Sequence, residues 1–275
     1  MKRIDAHLHF HNYQDFDEEA RAVGHENTEE HLRKVFADLE IEKGIVMGNG
    51  GLDPASHQYP DFLDYCVGLD EHCLSRENRN QAVEAVENNL RRTSCVGIKI
   101  YAGYSCRYVS DDMYAPFYEL AQTYGKPVAI HTGALAGSHG LLKYSHPLTV
   151  DEAAYRWPGV QFVLCHLGNP WLPDTMAVVE KNENVATDLS GLLEGPLEPE
   201  KFLKENADYV AYLRTWFQYL DDYDRILYGT DWPLVNLYDY LYLMEKLIPE
   251  KYWEKVFYEN AKRIYYKEDL LLRKN

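Results

Sequence analysis

Short apolar segments alternate with longer segments of helical periodicity along most of the chain. Several of the apolar segments run on without polar residues between them, which is typical of parallel strands that are buried on both faces. The pattern predicts eight strands, at residues 3–9, 43–48, 62–69, 96–101, 127–132, 160–166, 184–189 and 225–231.

Helical patterns occupy most of the gaps between these strands. Thr28, or Asn27 before it, is suited to cap one helix, Gly125 to end another, and residues 200–220 predict a long aromatic helix. Eight strand–helix units in a chain of 275 residues favour a single (β/α)8 barrel, the TIM barrel, as one domain over 1–275. The alternative is an open doubly wound sheet, but no glycine-rich phosphate turn follows the first strand.

Charge and composition narrow the classes of partner. Asp and Glu number 44 against 28 Lys and Arg, a net charge of −16, which disfavours nucleic acid and anionic membranes as partners. No apolar run approaches the roughly 18 residues of a membrane span, and the N-terminus does not resemble a signal peptide. The five cysteines form no CxxC pair, so we expect free thiols in a cytoplasmic protein.

Polar residues recur at the ends of the apolar strands, where a barrel builds its active site. The first strand ends in Asp5-Ala6-His7-Leu8-His9. Because strand side chains alternate, His7 and His9 point to one side, and paired imidazoles suit a divalent metal such as Zn²⁺. Each such residue taken singly has an ordinary structural explanation, but the set predicts a metal centre. Later strands contribute Lys99, His131, His166 and Asp231.

The ordered motifs resemble the amidohydrolase superfamily, and within it the amidohydrolase-related (type 2) branch of TIM-barrel metal-dependent hydrolases. The resemblance runs from end to end of the chain. It rests on Ile4-Asp5-Ala6-His7-Leu8-His9, Gly97-Ile98-Lys99, His131-Thr132, His166-Leu167-Gly168, Gly229-Thr230-Asp231-Trp232-Pro233 and Glu259-Asn260-Ala261-Lys262-Arg263-Ile264-Tyr265.

The resemblance implies a divalent metal, zinc first and manganese as the alternative. His166 is then either a ligand of a second ion or a nearby catalytic residue. Lys99 is either carbamylated and bridges two ions, or it lines the pocket and binds a substrate carboxylate. One ion is favoured, and two are the alternative. The ligands that the resemblance assigns to the first ion are His7, His9, His131 and Asp231.

The implied reaction is hydrolysis of a C–O or C–N bond in a small carboxylated or cyclic metabolite. Asp231 would act as general base and then acid, and His166 would stabilise the oxyanion or hold the substrate. Asp5 either orients His7 or His9 from behind or makes a simple strand-end hydrogen bond. The alternative reaction is non-oxidative decarboxylation of an aromatic or unsaturated acid, because fold and metal do not fix the chemistry. A catalytically silent scaffold is a third hypothesis.

The loops that follow the strands are expected to select the substrate. Tyr101, Trp171 and Trp232 are the candidates for substrate contact. The aromatic segment 211–220 either covers the face of a homodimer or packs on the barrel.

Overall fold

The structure is a computed structural model that describes residues 1–70 and 72–267. Residue 71 and residues 268–275 of the predicted 1–275 domain lie outside the described residues. Within the described chain, eight parallel strands pair in sequence order. The strands β1 to β8 span Arg3–Leu8, Ile41–Met47, Leu63–Leu69, Cys95–Ile100, Val128–Ile130, Phe162–Leu164, Val185–Asp188 and Ile226–Leu227.

Helices follow the strands, as the alternating pattern predicts. The α-helices of the described chain, α1 to α11, span Gln14–Ala22, Glu29–Asp38, Arg79–Leu90, Ala115–Tyr124, Leu142–Ser145, Leu148–Arg156, Leu172–Lys181, Pro199–Glu205, Ala207–Leu220, Leu237–Leu247 and Asn260–Tyr265.

Backbone hydrogen bonds bring the first and last strands together and nearly close the barrel. The amide of Ala6 donates to the carbonyl of Tyr228 at 2.9 Å, and the amide of His9 donates to the carbonyl of Trp232 at 2.7 Å. The predicted TIM barrel is therefore confirmed, and the open doubly wound sheet is excluded.

Because side chains alternate along each strand, apolar packing residues and polar residues of the site point to opposite sides of the barrel wall. Leu8, Ile98 and Ile100 belong to the apolar core that includes Phe117 of helix α4, so they face the surrounding helices. The residues between them on the same strands, such as Lys99, point to the opposite side and into the barrel. The polar residues of these mostly apolar strands therefore point into the interior of the barrel.

The strands that approach the site are shorter than the apolar pattern predicts. Strand β8 covers only Ile226–Leu227 of the predicted 225–231. The amides of Thr230 and Asp231 turn to the carbonyl of His7, at 3.1 and 2.8 Å, and Asp231 adopts a left-handed φ of 63°. Strand β6 ends at Leu164 for a similar reason, because the residues after it leave the extended conformation.

The helix predictions hold at their caps and fail at one interior position. Thr28 accepts a hydrogen bond from the amide of His31 and caps α2, and Gly125 ends α4 in the left-handed conformation. The predicted helix 200–220 is in fact two helices, α8 and α9. Asn206 between them has a non-helical backbone, with φ −114° and ψ 33°.

Candidate metal centre and cavity

His7, His9 and Asp231 meet at the carboxyl end of the barrel. Oδ1 of Asp231 lies 3.4 Å from Nε2 of His7 and 3.3 Å from Nε2 of His9. One donor atom from each of the three residues lies within 4.8 Å of the others. The predicted pairing of the two β1 imidazoles with the β8 carboxylate is therefore present in the structure as a triad.

Hydrogen bonds determine which nitrogen of each triad histidine carries the proton. Nδ1 of His9 lies 3.1 Å from the carbonyl oxygen of Met47, which can only accept, so Nδ1 donates and Nε2 keeps its lone pair. Nδ1 of His7 lies 2.9 Å from Oδ2 of Asp188. Burial raises the pKa of Asp188, but hydrogen bonds from His7 and Ser190 help to hold it below its ordinary value. Burial also lowers the pKa of His7, so its ring is neutral at neutral pH. Asp188 is thus an acceptor, and Nε2 of His7 also keeps its lone pair.

His131 and His166 form a second pair beside the triad. Nε2 of His131 donates to the carbonyl of Ala134 at 2.9 Å, which leaves the lone pair on Nδ1. That nitrogen faces Nε2 of His166 at 3.2 Å. Nδ1 of His166 contacts the hydroxyl of Ser190 at 2.9 Å and the backbone carbonyl of the same residue at 3.2 Å.

Burial keeps the histidines of this second pair neutral, which is the form that binds metals. It lowers the pKa of His131 well below its ordinary value, where the nearby charges of His166 and Lys99 act in the same direction. It also lowers the pKa of His166 to about 4, although the charge of Asp231 opposes that shift. Both rings are therefore neutral at neutral pH, and each keeps a lone pair on one of its nitrogens.

The triad fits a divalent cation. Nε2 of His7 and Oδ1 of Asp231 are buried without a hydrogen-bond partner among the described residues, an arrangement that costs free energy unless a ligand satisfies both atoms. Ligand separations of 3.3–3.4 Å match the edge of a tetrahedron with bonds of about 2.0–2.1 Å. Two imidazoles and a carboxylate are a donor set that suits zinc and similar ions.

His131 and Lys99 lie next to the triad without joining it. His131 contacts His166 rather than the three donor atoms, so its assignment as a ligand stays a prediction. Lys99 is fully buried in the barrel, with Nζ 2.8 Å from Sγ of Cys165 and 5.3 Å from the ring centre of Tyr101. Both of its predicted roles, bridging two ions and binding a substrate carboxylate, stay predictions.

A cavity of about 1000 Å³ opens above the triad of His7, His9 and Asp231. His9, His131, His166 and Asp231 line its floor. Aromatic and aliphatic side chains dominate the rest of the wall, which suits a ligand with a flat apolar body. These wall residues are Phe16, Tyr101, Tyr104, Leu135, Leu192, Leu193 and Leu234.

Of the three predicted substrate contacts, only Tyr101 belongs to the wall. Trp232 is fully buried, and its ring packs against His25 at 5.2 Å between centroids. Trp171 packs against His146 at 4.7 Å. Neither indole lines the cavity in the described part of the chain, because each faces a neighbouring loop or helix. We therefore assign no substrate contact to these two residues.

Sequence reasoning missed Asp188 and Ser190, and of the two roles it left open for Asp5 the structure shows the strand-end hydrogen bond. Asp5 accepts hydrogen bonds from the hydroxyl of Thr230 at 2.6 Å and from the backbone amides of Thr230 and His7 at 3.0 and 3.2 Å, so it holds backbone and no imidazole. Asp188 instead ends strand β7, where the rule about strand ends would have marked it.

The fold and the site define a barrel with a candidate metal centre at the carboxyl ends of its strands. Residues 4–266 match the model of the amidohydrolase family Amidohydro_2, and the chain belongs to this family. Among curated protein sequences, none matches the chain.

Solved structures that share the fold include two decarboxylases and an amidohydrolase. The 2,6-dihydroxybenzoate decarboxylase from Rhizobium is 16% identical with a TM-score of 0.68, covering 98% of this chain and 99% of its own. A zinc-bound amidohydrolase from Burkholderia multivorans is 16% identical with a TM-score of 0.67, covering 97% and 99%. A dihydroxybenzoic acid decarboxylase from Polaromonas, with manganese and the inhibitor 2-nitroresorcinol, is 14% identical with a TM-score of 0.64, covering 97% of each chain.

The structure bears on two further expectations, the absence of a membrane span and the possible dimer face. In residues 1–70 and 72–267, no helix combines the length and the apolar character needed to cross a membrane. Tyr212 and Tyr219 of α9 are exposed, so the alternative that this segment covers a dimer face stays a prediction.

Proposed function

We propose that this protein is a divalent-metal-dependent lyase that removes carbon dioxide from a small aromatic or unsaturated carboxylic acid without an external oxidant or reductant. The observation that carries the proposal is the triad of His7, His9 and Asp231 at the floor of an aromatic-walled cavity of about 1000 Å³. The two decarboxylases among the similar structures favour this reaction over hydrolysis.

The chain would supply the metal ligands and the cavity that binds the substrate. His7, His9 and Asp231 would hold the metal, with His131 as the predicted fourth ligand. When bound, the ion supplies a positive charge that attracts the carboxylate and any neighbouring hydroxyl oxygen of the acid. Phe16 gives the cavity an apolar face on which an aromatic ring can pack.

Decarboxylation leaves the electrons of the broken C–C bond on the ring carbon, which must then receive a proton. Of the four titratable residues of the floor, we assign the transfer of this proton to Asp231 and His166. Their nearest side-chain atoms, Oδ2 and Nδ1, lie 3.9 Å apart. A side chain that protonates this carbon must regain its proton from solvent in each turnover, so the hydrogen of the product comes ultimately from water.

The decisive experiment compares two reactions of the same preparation. Metal-free protein is loaded with Zn²⁺ or Mn²⁺ and incubated with hydroxylated benzoic acids, and released carbon dioxide is measured. In heavy water, one deuterium should appear at the carbon that bore the carboxylate. The same protein is tested on lactones, esters and amides by pH-stat titration.

The outcomes separate the hypotheses. Carbon dioxide release that needs the added metal supports the lyase. Acid release from a lactone or an ester, with no carbon dioxide from any acid, would overturn it in favour of the hydrolase that the sequence first suggests. Tyr155→Phe, at an exposed position outside the cavity wall, serves as the matched control.

A further inference from the structure

A single buried carboxylate connects the metal triad to the turn that carries His166. Asp188 is fully buried at the end of β7. Its Oδ2 accepts from Nδ1 of His7 at 2.9 Å. Its Oδ1 accepts from the backbone amide of His166 at 2.9 Å, from the backbone amide of Ser190 at 3.1 Å, and from the hydroxyl of Ser190.

The two oxygens of Asp188 are therefore not equivalent. Oδ1 faces three donors, and two of them are backbone amides that cannot reverse their polarity. The amide of His166 is held in a left-handed turn with φ 64°, so its direction is set by the backbone. Oδ2 has Nδ1 of His7 as its hydrogen-bond partner, with the thiol of Cys165 within 4.8 Å of the carboxylate. An imidazole nitrogen, unlike a backbone amide, can either donate or accept.

We propose that Asp188 is a positioning residue that makes His7 a metal ligand. By accepting the Nδ1 proton of His7, it keeps the lone pair on Nε2, the nitrogen that faces Asp231. Without this acceptor the proton is free to move to Nε2, where it would point at the carboxylate of Asp231 and block the ligand position. The inference rests on the proposed metal site and is independent of which reaction the site performs.

The asymmetry of Asp188 makes Asp188→Asn a directed test. An amide has one oxygen and one NH₂ group, and the three donors at Oδ1 require the oxygen there. The NH₂ group must then face Nδ1 of His7, which becomes an acceptor and sends its proton to Nε2. The bonds to His166 and Ser190 persist, so the substitution reverses one imidazole and leaves the turn in place.

Asp5→Asn is the matched control, since Asp5 is equally buried and on the same strand as His7. Its Oδ1 accepts from two backbone amides and its Oδ2 from the Thr230 hydroxyl. An amide there keeps the oxygen on the backbone and donates to the hydroxyl oxygen. The same chemical change therefore touches no imidazole.

Two measurements test the proposal, both with the full chain. Zinc affinity is measured by competition with a chelator, and the protonated nitrogen of His7 is identified by ¹⁵N NMR of the metal-free protein. We expect Asp188→Asn to weaken zinc binding about 10–100-fold and to move the His7 proton from Nδ1 to Nε2. Asp5→Asn should bind zinc as wild type does.

Results on zinc affinity and on the His7 proton that differ from these would overturn the proposal. Unchanged zinc affinity in Asp188→Asn, or an equal loss in Asp5→Asn, would show that the carboxylate does not act through His7. If Asp188→Asn does not fold, the wild-type spectrum still decides, because a His7 proton on Nε2 contradicts the assignment. Failure of the lyase assay with these results intact would remove the reaction and leave the positioning role standing.

Discussion

Gly191→Ala is expected to damage the site without a comparable effect on the fold. Gly191 lies in the cavity wall with a left-handed φ of +59°. A Cβ at this position would lie 2.7 Å from Nδ1 of His166 and 3.1 Å from Oδ2 of Asp231. The backbone approaches these two side chains so closely that only glycine fits.

The size of the effect follows from the distances. To restore a contact of about 3.5 Å, the His166 ring must retreat by roughly 0.8 Å, which breaks its 2.9 Å hydrogen bond with Ser190. A misplacement of about 1 Å costs on the order of 10²-fold in rate, or about 2.7 kcal/mol of barrier. The left-handed backbone adds about 1–2 kcal/mol of destabilisation.

Gly195→Ala isolates the contact from the backbone strain. Gly195 also has a positive φ, +78°, but a Cβ there meets nothing within 4 Å. Urea unfolding should show a loss of about 1–2 kcal/mol in this variant, and the metal-dependent turnover assay should show wild-type activity. Equal turnover in the two alanine variants would refute the reasoning, because then the approach to His166 does not matter.

The remaining predictions concern charge, metal and pH. Asp231→Asn should abolish turnover while the protein stays folded by circular dichroism, and an active variant would remove this carboxylate from the mechanism. Zinc at about 100 times its Kd should stabilise the protein by about 2.7 kcal/mol, a rise of roughly 5–10 °C in Tm, which a chelator should reverse; an unchanged Tm would count against the site. Lys99→Ala should leave the metal-to-protein ratio unchanged if one ion binds, whereas halving would indicate a lysine-bridged pair. Burial and the neighbouring charge of His31 lower the pKa of His25 from 6.5 to about 4, so the unfolded chain binds more protons between these values and stability should fall as the pH drops through that window. His25→Gln, which cannot be protonated, should make this fall less steep, and an unaltered slope would exclude His25 as a contributor.

Much of the fold could be read from local pattern, because burial on both faces makes a parallel strand continuously apolar. The ends of the strands could not be predicted where a tertiary hydrogen bond pulls the backbone out of the extended conformation. Asp231 leaves β8 for a left-handed conformation because its amide bonds to the carbonyl of His7. The sequence pattern of residues 225–231 does not indicate that this amide bonds to the carbonyl of His7 rather than continuing the strand.

Part of the candidate site could also be predicted from the sequence, and part could not. The two-residue period of β1 was enough to place His7 and His9 on one side, and Asp231 joined them as expected. The indole of Trp232, next to that carboxylate in sequence, turned out to pack in the core. Adjacent residues of a tight turn point in different directions, so proximity along the chain said little about the cavity wall.

The linear order of apolar runs and polar strand ends was sufficient for the barrel, the family resemblance and the core of the metal triad, because these depend on periodicity and on residue chemistry. Only the folded chain showed that Asp188, rather than Asp5, accepts the imidazole proton of His7. The reason is geometric: whether a buried carboxylate bonds to backbone or to an imidazole depends on which neighbouring strand presents a donor, and that is decided by packing across the barrel.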